Sequence, residues 1–134
     1  MGTWDTKTFD NDDAMDWLSE LTQTADLSLC EQCLEANDIQ GDYIEAPECV
    51  RILCSAEVLA ALSGRPGSEI PKEMSEWVAA HRQLDPSPLI QKALQRVNRV
   101  LAKHSELHEL WLENETLYPA WRAGVLDLRS RLGG

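Results

Sequence analysis

The sequence predicts an all-α fold, a compact single domain over residues 1–134 with about six or seven short helices around a buried central helix at about 47–63. Apolar residues recur at helical spacings along most of the chain, and no segment alternates convincingly as a strand. Proline, glycine and capping residues separate these periodic stretches by short connections. A chain of 134 residues also buries about 68% of the surface that its unfolded form exposes, which is enough for one core.

The first two helices are predicted from their apolar faces and their caps. The first runs from about Asp12 to Thr24, and the second from about Ser28 to Asn37. Ser28 and Glu31 have the spacing of a capping box, which places Ser28 as the cap of the second helix. The apolar stripe of the first helix follows the i, i+3, i+4, i+7 pattern of an amphipathic helix: Ala14, Trp17, Leu18 and Leu21.

The central helix is predicted to begin at Pro47 and to end before Gly64. Its interior, Val50 to Leu62, is apolar nearly all the way round, which predicts the buried hub of the fold. Pro71 opens a fourth helix that stops near Asp85. The apolar face of this fourth helix carries three residues: Met74, Trp77 and Val78.

Three further helices complete the prediction. The fifth, from about Ser87 to Lys103, has an apolar face and a narrow basic stripe of Lys92, Arg96, Arg99 and Lys103. Ser105 is placed to cap a short sixth helix, three residues before His108. His104 and His108 are expected at the surface or at helix ends. The last helix presents four apolar residues: Trp121, Val125, Leu128 and Leu132.

The formal charge of −11 is unevenly distributed. Residues 1–48 carry 13 acids and one base, Lys7, whereas residues 49–134 carry 10 acids and 11 bases. This asymmetry argues against direct binding to nucleic acid and permits a basic protein partner or a cation. The simpler alternative is that the acidic part faces water or the basic half of the molecule.

No apolar run approaches the roughly 20 residues of a membrane span, and no membrane partner is expected. The N-terminus lacks a basic segment followed by an apolar one, so no secretory signal is predicted and the expected location is cytoplasmic. The four cysteines are then expected to be reduced thiols.

The opening aspartates have two interpretations, an ion-binding loop and a helix start. A calcium loop that begins at Asp10 fails, because its fifth and sixth positions are Ala14 and Met15. A helix start fits better: Asp10 or Asn11 as the cap, and Asp12 with the next aspartate in the first turn, where the helix dipole favours acids.

Five acids are candidates for a carboxylate cluster that could hold a hard divalent cation: Asp10, Asp12, Glu45, Glu48 and Glu57. Glu57 is the most informative, because it lies in the helix that is predicted to be buried, and a buried carboxylate needs a partner. The alternative is a structural bond from Glu57 to one of four groups: Arg82, His81, a tryptophan indole or the N-terminal loop.

Four cysteines at Cys30, Cys33, Cys49 and Cys54 approach the spacing of a zinc site. The first pair lies within a predicted helix, and neither pair has the glycine or aromatic residues of a zinc knuckle. Packing as small apolar residues is therefore the preferred interpretation, and neither a metal nor another cofactor is predicted.

Three segments together resemble a known bacterial family, domain of unknown function 4259. They run from Met1 to Trp17, from Asp42 to Glu48, and from Ala56 to Trp77. The resemblance covers nearly the whole chain and implies a small bacterial cytoplasmic protein, but it implies no activity. The family usually has glycine where this chain has Asp5 and Lys7, two residues that permit positive φ and a close backbone approach less readily than glycine does.

The preferred hypothesis is a non-enzymatic interaction or regulatory protein whose acidic N-terminal region meets a basic partner. The alternative is a divalent-cation-dependent hydrolase in which Glu45, Glu48 and Glu57 hold the metal. A third hypothesis is a homodimer that sets the basic stripe of the fifth helix against the acidic region of a second copy.

Overall fold

A computed structural model describes residues 12–35, 43–68 and 70–133. These residues form seven α-helices and no β-strand, which confirms the all-α prediction. The helices are α1 (Asp12–Leu21), α2 (Ser28–Glu35), α3 (Ala46–Leu62), α4 (Lys72–Ala80), α5 (Ser87–Leu101), α6 (Glu106–Leu112) and α7 (Tyr118–Arg131). None of these helices has the length and apolarity needed to cross a bilayer.

The central position of α3 is confirmed. Every residue from Ile52 to Ala61 is buried, and α3 packs against α1, α2, α4, α5, α6 and α7. A helix that is apolar nearly all round must be covered on every side, so the other helices surround it. Two polar side chains, Ser55 and Glu57, are buried along it.

Two predicted helix boundaries near the acidic end differ from the structure. Helix α1 ends at Leu21 rather than near Thr24, because the Thr24 hydroxyl donates to the Leu21 carbonyl at 2.9 Å and closes a turn there. Helix α2 contains Ser28 as its first residue rather than as its cap. Asp26 accepts a hydrogen bond from the Ser28 backbone at 3.0 Å. The predicted end of this helix at Asn37 lies outside the described residues.

Hydrogen bonds connect the start of α3 to the start of α6. Ile44 and Ser105 form an isolated parallel bridge, and the Glu106 carboxylate accepts a 2.6 Å hydrogen bond from the Ala46 backbone N–H. The Ser105 hydroxyl accepts from the His108 backbone N–H at 3.3 Å, which confirms Ser105 as the cap of α6. Glu45 is the N-cap residue of α3, but its side chain makes no capping hydrogen bond. The carboxylate of Glu106 in α6 therefore takes that role.

Helix α5 connects the acidic end to the rest of the fold. The Arg96 guanidinium donates to the Leu34 carbonyl of α2 at 2.8 Å. The Arg99 guanidinium donates to the His104 carbonyl at 3.3 Å, just beyond the end of α5 at Leu101. Two side chains of the predicted basic stripe thus donate hydrogen bonds to backbone carbonyl groups.

Candidate functional site: the acidic surface of α1 and α2

The candidate carboxylates near the N-terminus occupy two helix starts. Asp12 is the first residue of α1 and is exposed, whereas Asp10 lies outside the described residues. Glu45 immediately precedes α3 and is also exposed. Glu48, in the first turn of α3, is half-buried; its carboxylate forms an ion pair with Arg51 and accepts a 3.1 Å hydrogen bond from its Nη1. Acids at these positions are stabilised by the helix dipole without any ligand.

Glu57 is buried, as the sequence predicts. Among the described residues its partner is Arg131 rather than Arg82, His81 or a tryptophan indole, and the N-terminal loop lies outside those residues. Arg131 of α7 binds both carboxylate oxygens, with distances of 2.9 Å from Nη1 to Oε1 and 3.2 Å from Nη2 to Oε2. Arg131 also donates to Asp127 at 2.8 Å and to the Arg65 carbonyl at 3.3 Å. This pair joins α7 to the central helix across 74 residues of sequence, a separation that local patterns do not encode.

The structure separates Glu48 from Glu57. Nine residues of α-helix place two side chains about 180° apart around the axis and about 13 Å apart along it. Within the described residues, no group of three or more histidine, cysteine or acidic side chains could hold a metal ion. A cluster that includes Asp10 lies outside the described residues and stays a prediction.

The four cysteines are free thiols. Cys30, Cys49 and Cys54 are buried, as expected for small apolar packing residues. Burial, followed by the nearby Cys33, raises the pKa of Cys30 to about 12. Cys33 is half-buried; burial raises its pKa, although the Trp17 indole N–H donates to its sulfur at 3.2 Å and opposes that shift.

A cleft lies between α1 and α2 beside Cys33. One hollow of about 260 Å³ reaches the first turns of α3, and a second of about 300 Å³ reaches the connection between α1 and α2. Glu20, Leu29 and Gln32 line both hollows, so the two are adjacent, and together they are called the cleft below. The other residues that line it are Trp17, Gln23, Thr24, Ser28, Cys33, Glu48 and Arg51.

Comparison with known proteins gives one family. A family model described as a domain of unknown function, DUF4259, matches residues 2–124. The chain belongs to the DUF4259 family. No curated protein and no solved structure matches it significantly. All five candidate carboxylates lie within the range that the DUF4259 model matches, whereas Arg131 lies beyond that range.

Sequence reasoning missed two features of this DUF4259 chain. The cleft could not be read from the sequence, because helical spacing identifies which residues share a face but not how far two helices diverge. His108 lies in the first turn of α6, at a helix end as expected, but its side chain is half-buried and its Nε2 lies 2.8 Å from the Tyr118 hydroxyl, a contact that was not predicted. The fall in its pKa is caused by burial, followed by the charge of Arg122.

Proposed function

We propose that this protein is a non-enzymatic interaction module whose acidic surface contacts a basic protein partner. One observation carries the proposal: the described residues from 12 to 48 include nine acids and no lysine or arginine. Seven of these nine side chains are exposed. We define the acidic surface as these nine residues: Asp12, Asp13, Asp16, Glu20, Asp26, Glu31, Glu35, Glu45 and Glu48.

The packing of α1 and α2 supports a common surface. Both helices pack against α3, and Trp17 of α1 contacts Cys33 of α2 through its indole N–H. Their apolar faces point towards the core, so their carboxylates lie on the outward side of the same pair of helices. A surface of one sign attracts partners of opposite charge and speeds their association at low salt.

Internal pairing neutralises little of this surface. Within the described chain, one of the nine acids forms an ion pair, Glu48 with Arg51. Arg96, the basic residue of α5 that reaches α2, binds the Leu34 carbonyl. Among the described acids, the simpler alternative, in which the acidic part faces the basic half of the same molecule, is therefore supported by the ion pair of Glu48.

The two competing functions have less support. For a hydrolase built on Glu45, Glu48 and Glu57, the ion pair that holds Glu57 occupies one carboxylate, and α3 separates it from Glu48. For a homodimer built on the basic stripe of α5, two of the four side chains already bind carbonyl groups within the chain.

Affinity purification from the native host at low and then at high salt tests the proposal. We expect a basic protein to be retained at low salt and released at high salt, because salt screens exposed charges. The triple variant Asp12→Asn/Asp16→Asn/Glu20→Gln should retain less of the same protein.

A matched control removes the same three charges elsewhere. Glu73→Gln/Glu76→Gln/Glu113→Gln changes exposed acids of α4 and of the segment after α6. This control should retain the partner as the unmodified protein does. Retention of no partner at either salt, or equal losses in the two triple variants, would contradict the proposal.

A further inference from the structure

We propose that the cleft between α1 and α2 binds an extended peptide segment of the partner and places an arginine or lysine side chain between Glu20 and Glu48. This inference rests on the proposed function, and it adds the location of the contact and the chemical form of the bound group. Three properties of the cleft support it: its shape, its lining and its single basic residue.

The shape of the cleft suits side chains of an extended segment. Its two hollows, of about 260 Å³ and about 300 Å³, are adjacent and share Glu20, Leu29 and Gln32 as lining residues. Each lies at or below the lower end of the roughly 300–1,000 Å³ typical of sites for whole small molecules. Two small adjacent hollows are better suited to successive side chains of a peptide than to one compact ligand.

The lining combines apolar and acidic groups. Leu29 and Cys33, which are half-buried, contribute apolar surface, and Glu20 and Glu48 contribute carboxylates from α1 and α3. An arginine or lysine has the complementary construction, with an apolar stem and a charged end. Its stem can contact the apolar residues while its charged end reaches the carboxylates.

Arg51 is the one basic residue among those that line the cleft, and it pairs with Glu48. The Arg51 side chain is 44% exposed, so it can turn towards water when another cation reaches the same carboxylate. Glu20 forms no ion pair within the described chain and is available to the incoming group. The acids and Arg51 together leave the lining net negative.

Fluorescence anisotropy with a labelled eight-residue peptide of alternating arginine and alanine tests this inference on the full chain. The same peptide with glutamine in place of arginine is the neutral control. We expect binding of the arginine peptide only. The variant Glu20→Gln/Glu48→Gln should weaken that binding about tenfold at low salt, as expected for the loss of one exposed and one half-buried charge pair.

A matched variant, Glu31→Gln/Glu35→Gln, removes two exposed charges of α2 that do not line the cleft. Its affinity should change by less than about threefold. Cys33 gives an independent readout, because it is the half-buried thiol of the four. The bound arginine peptide should slow its alkylation by a maleimide, and Cys33→Ser should remove the labelled product. Circular dichroism confirms that each variant is folded.

The outcomes separate this inference from the proposed function. Equal weakening in the two double variants would mean that the acidic surface binds without the cleft, which overturns the inference and leaves the proposed function standing. Unchanged alkylation of Cys33 with the peptide bound, or no binding of the arginine peptide, would also overturn the inference. In each case the purification experiment still decides the proposed function by itself.

Discussion

The ion pair between Glu57 and Arg131 should be a large single contribution to the stability of this fold. The substitution Arg131→Met removes the guanidinium and keeps a side chain of comparable length. Glu57 would then remain in a largely buried position without the two hydrogen bonds of 2.9 and 3.2 Å that now hold its carboxylate. A buried charge that loses its partner must be solvated or protonated, and either change costs free energy.

The expected loss in the free energy of unfolding is about 3 kcal/mol. Removal of one partner from a buried pair costs about 3–5 kcal/mol. The lower end applies here, because the side chains of Arg131 and Glu57 keep 16% and 9% of their surface exposed. The pKa of Arg131 agrees with a net stabilising pair: burial would lower it, but the hydrogen bonds and charges of Glu57 and Asp127 raise it overall.

Urea denaturation followed by tryptophan fluorescence measures this loss, which corresponds to a fall of roughly 10 °C in Tm. Arg129→Met is the matched control, because Arg129 lies on the same helix and donates one exposed hydrogen bond to Asn98. It should cost under about 1 kcal/mol.

The double variant Glu57→Met/Arg131→Met completes a double-mutant cycle. It should be more stable than the sum of its single substitutions implies, by about 2 kcal/mol, because the double variant leaves no unpaired charge. Additive effects, or a cost for Arg131→Met equal to that of Arg129→Met, would refute this account of the pair.

Three further outcomes are expected. Gly67→Ala should destabilise the protein by about 1 kcal/mol, because a Cβ at that position lies 3.0 Å from a carboxylate oxygen of the buried ion pair. Gly124→Ala should instead stabilise α7 by about 0.5–1 kcal/mol, because no atom lies within 4 Å of the new Cβ. Thermal unfolding should show a lower Tm for Gly67→Ala and a higher Tm for Gly124→Ala. Changes of Tm in the same direction would contradict the packing argument. Burial, followed by the charge of Arg122, lowers the pKa of His108 below 6.5 in the folded state, so the unfolded chain binds the proton more readily. The resulting contribution to stability is present above pH 6.5 and is lost as the pH falls towards the lowered pKa. The difference in the free energy of unfolding between the unmodified protein and His108→Gln should therefore shrink over that range. A difference that stays constant with pH would argue against a lowered pKa of His108. In a thiol titration of the native protein, Cys33 should react first while the three buried thiols react only after unfolding, and equal rates for all four would be inconsistent with their burial.

The sequence by itself determined the helices and the hub. Periodicity placed the centres of all seven helices, and the continuous apolar run of α3 predicted its burial. The cap of α6 at Ser105 was also predictable, because the capping hydroxyl and its backbone partner are three residues apart. The prediction of Ser28 as the cap of α2 was wrong, because Asp26 is also a good capping residue and only the geometry shows that it accepts the bond.

Only the tertiary structure decided the partner of Glu57 and the existence of the cleft. The burial of Glu57 follows from the residues beside it in α3, whereas its pairing with Arg131 depends on where α7 crosses α3. The acidic charge of the first third of the chain is a property of composition, but the hollow beside Glu20 depends on how α1 and α2 diverge. Contacts within one helix repeat at fixed short spacings and can be read from the sequence. Contacts between helices depend on crossing angles and distances that are set by the packing of the whole core.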